Sequence, residues 1–215
     1  MKIGLFFTLI SFAFSAAAAQ PNALQKVLEK YSKAKSIQTE IKKTEDKPTA
    51  VAPTVLSGEM KVQKNKIHIS LNGDAKTEFF YVEKSLILVE YPDADFAKSG
   101  AKRKVTTLKK SVPPFVNSLL GLFTDPKAFK REFSIASQVI EKDGIRINLK
   151  PVKNEKMKSL NVLIDPDKCT LSQLSFVDDV NNSTIIEFSN TKFNGKLSKN
   201  DFQFIKQSTD EELSE

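Results

Sequence analysis

Few residues of this 215-residue sequence have the side-chain chemistry of catalysis or metal binding. His68 is its one histidine and Cys169 its one cysteine, so the chain cannot supply a disulfide framework or a cysteine-rich metal cluster. His68 lies between Ile67 and Ile69, which occupy the opposite face if this segment is a strand. We therefore expect a half-exposed strand histidine and not a general base.

Cys169 follows Asp165-Pro166-Asp167-Lys168, a turn sequence, and precedes an apolar stretch that begins at Leu171. Free cysteines are among the most buried residue types. We therefore interpret Cys169 as a core residue at the start of a strand, with a reactive thiol as the alternative.

The carboxylates are paired in sequence, but each pair falls in a turn or a tail. The pairs are Asp93/Asp95, Asp165/Asp167, Asp178/Asp179 and Glu211/Glu212. Aspartates in turns accept hydrogen bonds from nearby backbone groups, and nothing close in sequence would shift their pKa toward catalysis. The Asp165 segment also lacks the Gly and the terminal Glu of a calcium loop. We predict that the protein is not an enzyme and has no metal site.

The charge is basic, with a net value of +7, but only Arg103, Arg131 and Arg146 carry guanidinium groups among 33 basic residues. Arginine is the residue favoured for bidentate recognition of phosphates and bases, so a nucleic-acid partner is not expected. The densest basic segment is 98–110. We interpret it as a solvated loop, or alternatively as a contact for an anionic membrane or a partner protein.

The first 19 residues are typical of a secretory signal peptide. A lysine precedes the apolar run Ile3–Phe14, and Ala17, Ala18 and Ala19 provide a cleavage site before Gln20. The run is too short to span a bilayer, which needs about 20 apolar residues. We predict export as a soluble protein, with residues 20–215 forming a single domain in a bacterial periplasm.

The rest of the sequence predicts an antiparallel β protein with a few helices. Apolar residues at helical spacing predict an amphipathic helix over 22–32, after which apolar and polar residues alternate as in strands with one wet face. Further strands are predicted at 133–140, 145–149, 160–164, 171–177, 183–188 and 201–204. A single sheet of about ten strands is too long to lie flat. We predict a curved antiparallel sheet forming an unclosed barrel.

The segment 115–123 is the most apolar part of the chain outside the leader. Prolines open it and Gly121 lies near its end, which predicts a short helix. Its apolar residues cover most of the helix surface, more than an ordinary surface helix needs. The helix either fills the open side of the sheet as core or forms a lid over an apolar cavity.

The order of these elements resembles the LolA family of periplasmic lipoprotein carriers. The resemblance covers nearly the whole chain after the leader, and Leu119-Leu120-Gly121 matches the middle helix of the family. Its clearest stretches lie in the second half of the sequence: Leu160–Asp165, Leu171–Phe176, Thr184–Phe188, Asn194 and Phe202–Phe204.

The resemblance implies a carrier that binds the acyl chains of lipoproteins and uses no cofactor. It implies a monomer that takes cargo from an ATP-binding-cassette release complex in the inner membrane and delivers it to an outer-membrane acceptor. The apolar residues that we expect to line the acyl-chain cavity are Met60, Val62, Ile67, Ile69, Leu71, Phe79, Tyr81, Leu86 and Leu88. Those that we expect on the lid are Val27, Phe115, Leu119, Leu120 and Phe123.

The sequence departs from the family where Lys64-Asn65 replaces the Arg-Pro pair that follows the Gly-led strand. The family's basic residue pins the lid through hydrogen bonds to helix carbonyls, which makes Lys64 a candidate for lid pinning, although Lys64-Asn65-Lys66 is equally typical of a hairpin turn. Two alternatives to a carrier remain open at this point. One is a partner-binding module like the envelope-stress sensors of the same fold, or a binder of another amphiphile, and the other is an enzyme acting on polar envelope substrates.

Overall fold

The computed structural model describes residues 23–82, 85–93, 95, 97, 100–108, 114–152 and 156–214, without the side chains of residues 114, 115, 117 and 214. The predicted signal peptide lies outside this part of the chain. The described helices are α1 (Ala23–Lys33), α2 (Pro114–Thr124) and α3 (Pro126–Glu132), with a 3-10 turn at Lys199–Phe202. No helix among the described residues is long and apolar enough to cross a membrane.

One sheet contains every strand of the described chain. The strands are β1 (Ile37–Asp46), β2 (Thr54–Gln63), β3 (Lys66–Asn72), β4 (Lys76–Val82), β5 (Ser85–Glu90), β6 (Lys104–Leu108), β7 (Phe133–Glu141), β8 (Gly144–Pro151), β9 (Met157–Asp165), β10 (Thr170–Asp178), β11 (Ser183–Phe193) and β12 (Glu211–Ser214). Their order is β12-β6-β5-β4-β3-β2-β1-β11-β10-β9-β8-β7. The two end strands, β12 and β7, do not pair with each other, so the predicted unclosed barrel is confirmed.

Three details of the predicted topology are wrong. The sheet has twelve strands instead of about ten, because part of the basic segment 98–110 forms β6 and the acidic tail forms β12. These two strands pair in parallel, with Glu212 opposite Val105. Residues 201–204 do not form a strand, since Ser198 and Asp201 make a reciprocal capping box that starts the 3-10 turn.

The helices pack on the inner face of the sheet. In α1 the buried residues are Ala23, Leu24, Val27, Leu28 and Tyr31, which form one face at helical spacing. The helix α3 starts at Asp125, whose Oδ1 accepts a hydrogen bond of 2.9 Å from the Ala128 N–H, and Pro126 occupies its first turn. The three helices and the inner face of the sheet share one continuous apolar core.

Gly58 allows β2 and β3 to approach closely. A Cβ atom at this position would lie 1.8 Å from the carbonyl oxygen of Ser70 on the neighbouring strand. Such a distance is far inside van der Waals contact, so no other residue fits without displacing the backbone.

The outer face of the sheet carries a second, smaller cluster around β4–β6. Phe80, Val89 and Val105 form it, and Phe204 packs against them. The guanidinium of Arg103 donates from Nε and Nη2 to the two carboxylate oxygens of Asp210 at 2.6 and 2.7 Å. This bidentate pair attaches the segment after the 3-10 turn to the outer face of the sheet.

His68 lies on this outer face, as predicted, and joins a polar network centred on Glu78. Its Nε2 lies 3.3 Å from Glu78 Oε1, and the Tyr91 hydroxyl donates to Glu78 Oε2 at 2.6 Å. The Lys76 ammonium lies 2.9 Å from Glu78 Oε1. Burial alone would raise the pKa of Glu78, but the hydrogen bonds from His68, Tyr91 and Lys76 outweigh it and hold this pKa at about 2.

This network predicts an acid-dependent loss of stability that Glu78→Gln removes. The pKa of Glu78 is depressed from its ordinary value of 4.5, so its contribution is present above pH 4.5 and is lost as the pH falls toward 2. In urea unfolding at a series of pH values, the advantage of the wild type over Glu78→Gln should shrink across this range. Glu187→Gln, at an exposed ion pair on β11, is the control. A wild-type advantage that stays constant with pH would contradict the assignment.

Candidate functional site

The structure brings the two predicted groups of site residues into one packed core. Among the predicted cavity residues, Met60, Val62, Ile67, Ile69, Leu71, Phe79 and Leu86 are buried, while Tyr81 and Leu88 are half-buried against the same core. The predicted lid residues Val27, Leu119, Leu120 and Phe123 lie in that core as well. The side chain of Phe115 lies outside the described part of the chain. The lid helices and strands β2–β5 therefore contribute to one continuous core.

Two apolar cavities lie at the margin of this contact, between α1 and strands β7–β9; we call them the β7 cavities. The smaller, of about 170 Å³, is lined by Leu24, Gln25, Leu28, Phe129, Lys130, Phe133, Ile135 and Leu149. The larger, of about 270 Å³, is lined by Ala23, Lys26, Gln138, Ile145, Ile164, Pro166 and Cys169. Apolar space beside the lid therefore opens at the β7 end of the sheet.

Exposed aliphatic side chains surround the entrance to the β7 cavities. Ile135 and Ile140 on the end strand are 44% and 71% exposed. They pair with Leu149 and Ile145 of β8, which line the smaller and the larger cavity. Large aliphatic residues left in water beside an apolar cavity are typical of a binding surface.

The charged residues that line the β7 cavities are both lysines. Lys130, on α3, donates a hydrogen bond to the side-chain oxygen of Gln25 on α1. Lys26 is exposed and forms no hydrogen bond or ion pair with any residue that the structure describes. The entrance therefore carries positive charge and favours an anionic group.

Cys169 lies in the predicted turn before β10 and packs against the core at its margin, without being fully buried. It is half-buried, has a φ of 52°, and lines the larger β7 cavity. The expected burial fails because this end of the sheet is only partly covered by α1.

The C-terminal end of α1 is attached to the rest of the fold. The Tyr31 hydroxyl accepts a hydrogen bond of 2.9 Å from the Leu171 N–H, and the Tyr31 ring stacks on Phe123 at 4.9 Å between centroids. The Lys30 ammonium donates to the Lys168 carbonyl at 2.6 Å. Burial raises the pKa of Tyr31 above its ordinary value. These contacts fix one end of α1, while its other end flanks the β7 cavities.

Replacing Tyr31 by Phe is expected to cost about 1–3 kcal/mol of stability, because the Leu171 N–H would be left buried without an acceptor. Urea unfolding measures this loss. Tyr81→Phe is the matched control, since the half-buried Tyr81 hydroxyl makes no hydrogen bond within the described chain. Equal stability of Tyr31→Phe and the wild type would show that this bond does not hold α1.

Lys64 occupies the turn between β2 and β3 with a φ of 52°, and its side chain is exposed. With Thr124 at the end of α2 and the predicted cavity residue Tyr81, it lines a cavity of about 820 Å³ whose lining combines charged groups with apolar surface. It makes no hydrogen bond to a helix carbonyl within the described chain. The lid-pinning role of Lys64 stays a prediction.

The residues around the β7 cavities are absent from the predicted site. The segment 133–140 is recognisable as a strand from its sequence, and Ile135 and Ile140 are visible as aliphatic residues within it. Its place at the end of the sheet depends on which strands pair across long stretches of chain. The available signal was the lack of any charged residue between Phe133 and Ile140, which is unusual for an end strand.

The structure defines a class of protein: an unclosed antiparallel barrel with helices packed on its apolar inner face. Residues 100–205, about half of the chain, match the model of the family described as outer membrane lipoprotein carrier protein LolA. The resemblance to the LolA family is thereby confirmed. No curated protein sequence matches the chain.

Several solved structures are similar in fold. An uncharacterized conserved protein from Thermus thermophilus has a TM-score of 0.52 at 8% identity, over 89% of this chain and 97% of that chain. A LolA superfamily protein from Nitrosomonas europaea has a TM-score of 0.44 at 9% identity, over 85% and 96%. The MucA/MucB complex of Pseudomonas aeruginosa has a TM-score of 0.43 at 10% identity, over 85% and 59%. At these identities the likeness to the Thermus protein concerns the fold alone.

Proposed function

We propose that this protein is a carrier that holds the acyl chains of lipoproteins between its helices and its sheet. The observation that carries the proposal is the pair of β7 cavities, which are lined by apolar residues and open beside the exposed Ile135 and Ile140. An acyl chain enters there and extends beneath the helices. The proposal includes no catalytic step.

The β7 cavities are large enough for the first segment of an acyl chain but too small for a whole chain. A dry apolar cavity of roughly 150 Å³ takes up benzene, so cavities of 170 and 270 Å³ each admit a short acyl segment. Longer chains require α1 and α3 to move away from the sheet. Each CH₂ group of the chain that becomes buried contributes roughly 0.8 kcal/mol of binding free energy. This gain offsets the free energy of the helix–sheet contacts that are lost.

The packed core under the helices permits this exchange. Met60, Val27 and Leu119 are fully buried there, and their contacts are replaceable by acyl-chain contacts of similar energy because both are apolar. The predicted cavity residues on β2–β5 become acyl-chain contacts only after the helices move. The carrier would then close again when the cargo leaves, without leaving empty apolar space.

The family match and the predicted signal peptide support a periplasmic location. In that compartment the carrier would receive lipoproteins from an ATP-binding-cassette release complex in the inner membrane and deliver them to an outer-membrane acceptor. It would act as a monomer without a cofactor. The positive entrance formed by Lys26 and Lys130 favours cargo with an anionic or uncharged segment next to the acyl chain.

Native mass spectrometry of the protein purified from a bacterial periplasm tests this function. We expect a bound species whose mass and fragments identify an acylated polypeptide, and detergent should remove it. A preparation with no bound species, even after the periplasm is enriched in released lipoproteins, would contradict the proposal.

A further inference from the structure

The two ends of the sheet differ in how they are protected against pairing with another strand. At one end, β12 is only four residues long and contains Glu211 and Glu212. At the other end, β7 is nine residues long and carries neither charge nor proline from Phe133 to Ile140. Short strands, charged residues and β-bulges are devices by which natural sheets prevent edge pairing. β7 is long, has its bulge in its first half and its charged residue, Glu141, at its last position, so the stretch between them is unprotected.

The regular part of this free edge is Ser137–Glu141. A β-bulge at Ala136 shifts the register between β7 and β8, and Ser137 to Glu141 then pair residue by residue with Asn148 to Gly144. The backbone groups of this stretch that face away from β8 have no strand partner among the described residues. The same stretch contains Gln138, which lines the larger β7 cavity.

We propose that the Ser137–Glu141 edge binds an extended polypeptide segment by strand addition. This inference rests on the proposed carrier function, because the segment is taken to be the polypeptide that immediately follows the acylated residue of the cargo. Strand addition supplies backbone hydrogen bonds that are independent of sequence. It therefore allows one carrier to hold many different cargo polypeptides beside the acyl chain.

At the Gln138 end of this edge the charge favours an uncharged or acidic segment, while at the other end Glu141 is paired with Arg146. Lys26 lines the larger β7 cavity beside Gln138 and has no ion-pair partner within the described chain. A basic segment would be repelled by it, whereas an acidic residue one or two positions beyond the acyl attachment would be attracted.

A lipid bilayer and a second copy of the chain fit this edge less well. Backbone N–H and C=O groups that enter hydrocarbon lose their hydrogen bonds to water, at several kcal/mol for each group. Pairing of two copies through this short edge alone would bury far less than the roughly 1,200 Å² of a stable specific interface. A cargo segment needs no such area of its own, because the attached acyl chain binds in the adjacent cavity.

The test uses four ligands: palmitoyl-Ser-Asp-Val-Thr-Val-Thr, palmitate alone, and two N-methylated versions of this lipopeptide. The two versions carry their methyl groups on alternate backbone nitrogens, in opposite phases. We expect the unmodified lipopeptide to bind at least about tenfold more tightly than palmitate, the gain from one or two net hydrogen bonds. The version whose methyl groups block the N–H groups that face β7 should lose this gain in affinity. The version whose methyl groups face away from β7 should keep it. Relative to palmitate, hydrogen exchange should show protection of amides in Ser137–Glu141 by the unmodified lipopeptide and by the N-methylated version that keeps the gain, but not by the other version.

Two lysine substitutions distinguish strand addition at the β7 edge from a general effect of added charge. Val139 on β7 is 49% exposed, and Val139→Lys should remove the extra affinity for the lipopeptide without weakening palmitate binding. Leu213 on β12 is 42% exposed, and Leu213→Lys should leave both affinities unchanged. Equal affinities for all four ligands would overturn strand addition. So would dimers or vesicle binding that Val139→Lys abolishes. Failure of palmitate to bind, with the unmodified lipopeptide still protecting Ser137–Glu141, would instead overturn the carrier function.

Discussion

Replacing Ile135 by Glu is expected to weaken the binding of an acyl-chain fluorophore at least about tenfold, because an entering chain would strip water from a carboxylate that has no partner. Ile135 lines the smaller β7 cavity together with Leu28 and Leu149. Its side chain is 44% exposed, so the carboxylate remains hydrated in the unliganded protein and the fold should be retained. Fluorescence titration measures the affinity, and circular dichroism verifies the fold.

The matched control is Val180→Glu, which adds the same charge at a residue that is 63% exposed in the turn between β10 and β11. It should bind the fluorophore as the wild type does. Equal affinity of Ile135→Glu and Val180→Glu would show that acyl chains do not enter through the β7 cavities.

Replacing Leu119 by Glu is expected to unfold the protein. Leu119 is fully buried in the core shared by α2 and the sheet, and truncating such a leucine to alanine already costs about 2–5 kcal/mol. An unpaired buried carboxylate costs several kcal/mol more, which approaches the roughly 5–15 kcal/mol of total stability of a typical domain. Circular dichroism and urea unfolding measure the loss.

Leu119→Met keeps the volume and polarity of the side chain and should cost less than about 1.5 kcal/mol. Phe123→Glu should unfold the chain for the same reason as Leu119→Glu, since Phe123 is buried against Tyr31. A folded Leu119→Glu protein would contradict a filled core under α2. It would show instead that an open cavity lies there in the absence of cargo.

The fold was predictable to the extent that it depends on local patterns. The spacing of Val27, Leu28 and Tyr31 determines which face of α1 is buried, and the alternation of Ile67, Ile69 and Leu71 determines which face of β3 meets the core. Both patterns are visible without knowledge of the partner elements. The curvature follows from the length of the sheet, although its strand number was underestimated.

The missed strands depend on contacts that are distant in sequence. β6 begins within a basic segment, and its Val105 is buried on the outer face against a cluster that Phe204 joins. β12 forms because the ion pair between Arg103 and Asp210 brings the tail next to β6. The Glu211 N–H then donates a hydrogen bond of 3.0 Å to the Arg103 carbonyl. No local pattern around Glu211 indicates a strand.

The apolar character of the candidate site was predictable from the sequence, but the position of the β7 cavities in the fold was not. The residues expected to line the cavity are apolar and face the helices, and most of them are buried in the core, while Val62 and Tyr81 also line cavities beside Lys64. Apolar space also opens at β7–β9, beside the N-terminal half of α1. Which end of a curved sheet stays uncovered is decided by the order of the strands and by the attachment of α1 through Tyr31, neither of which a single sequence displays.

Photo-crosslinking with a palmitate analogue that carries a diazirine near its end tests the central claim most directly. After irradiation and proteolysis, mass spectrometry identifies the labelled residues. At low occupancy we predict labels on the residues of the β7 cavities, above all Ile135, Ile145 and Leu149, with labels on β2–β5 increasing only at saturation. Labels confined to the outer face of the sheet, or to β2–β5 at every concentration, would contradict entry of acyl chains at the β7 end.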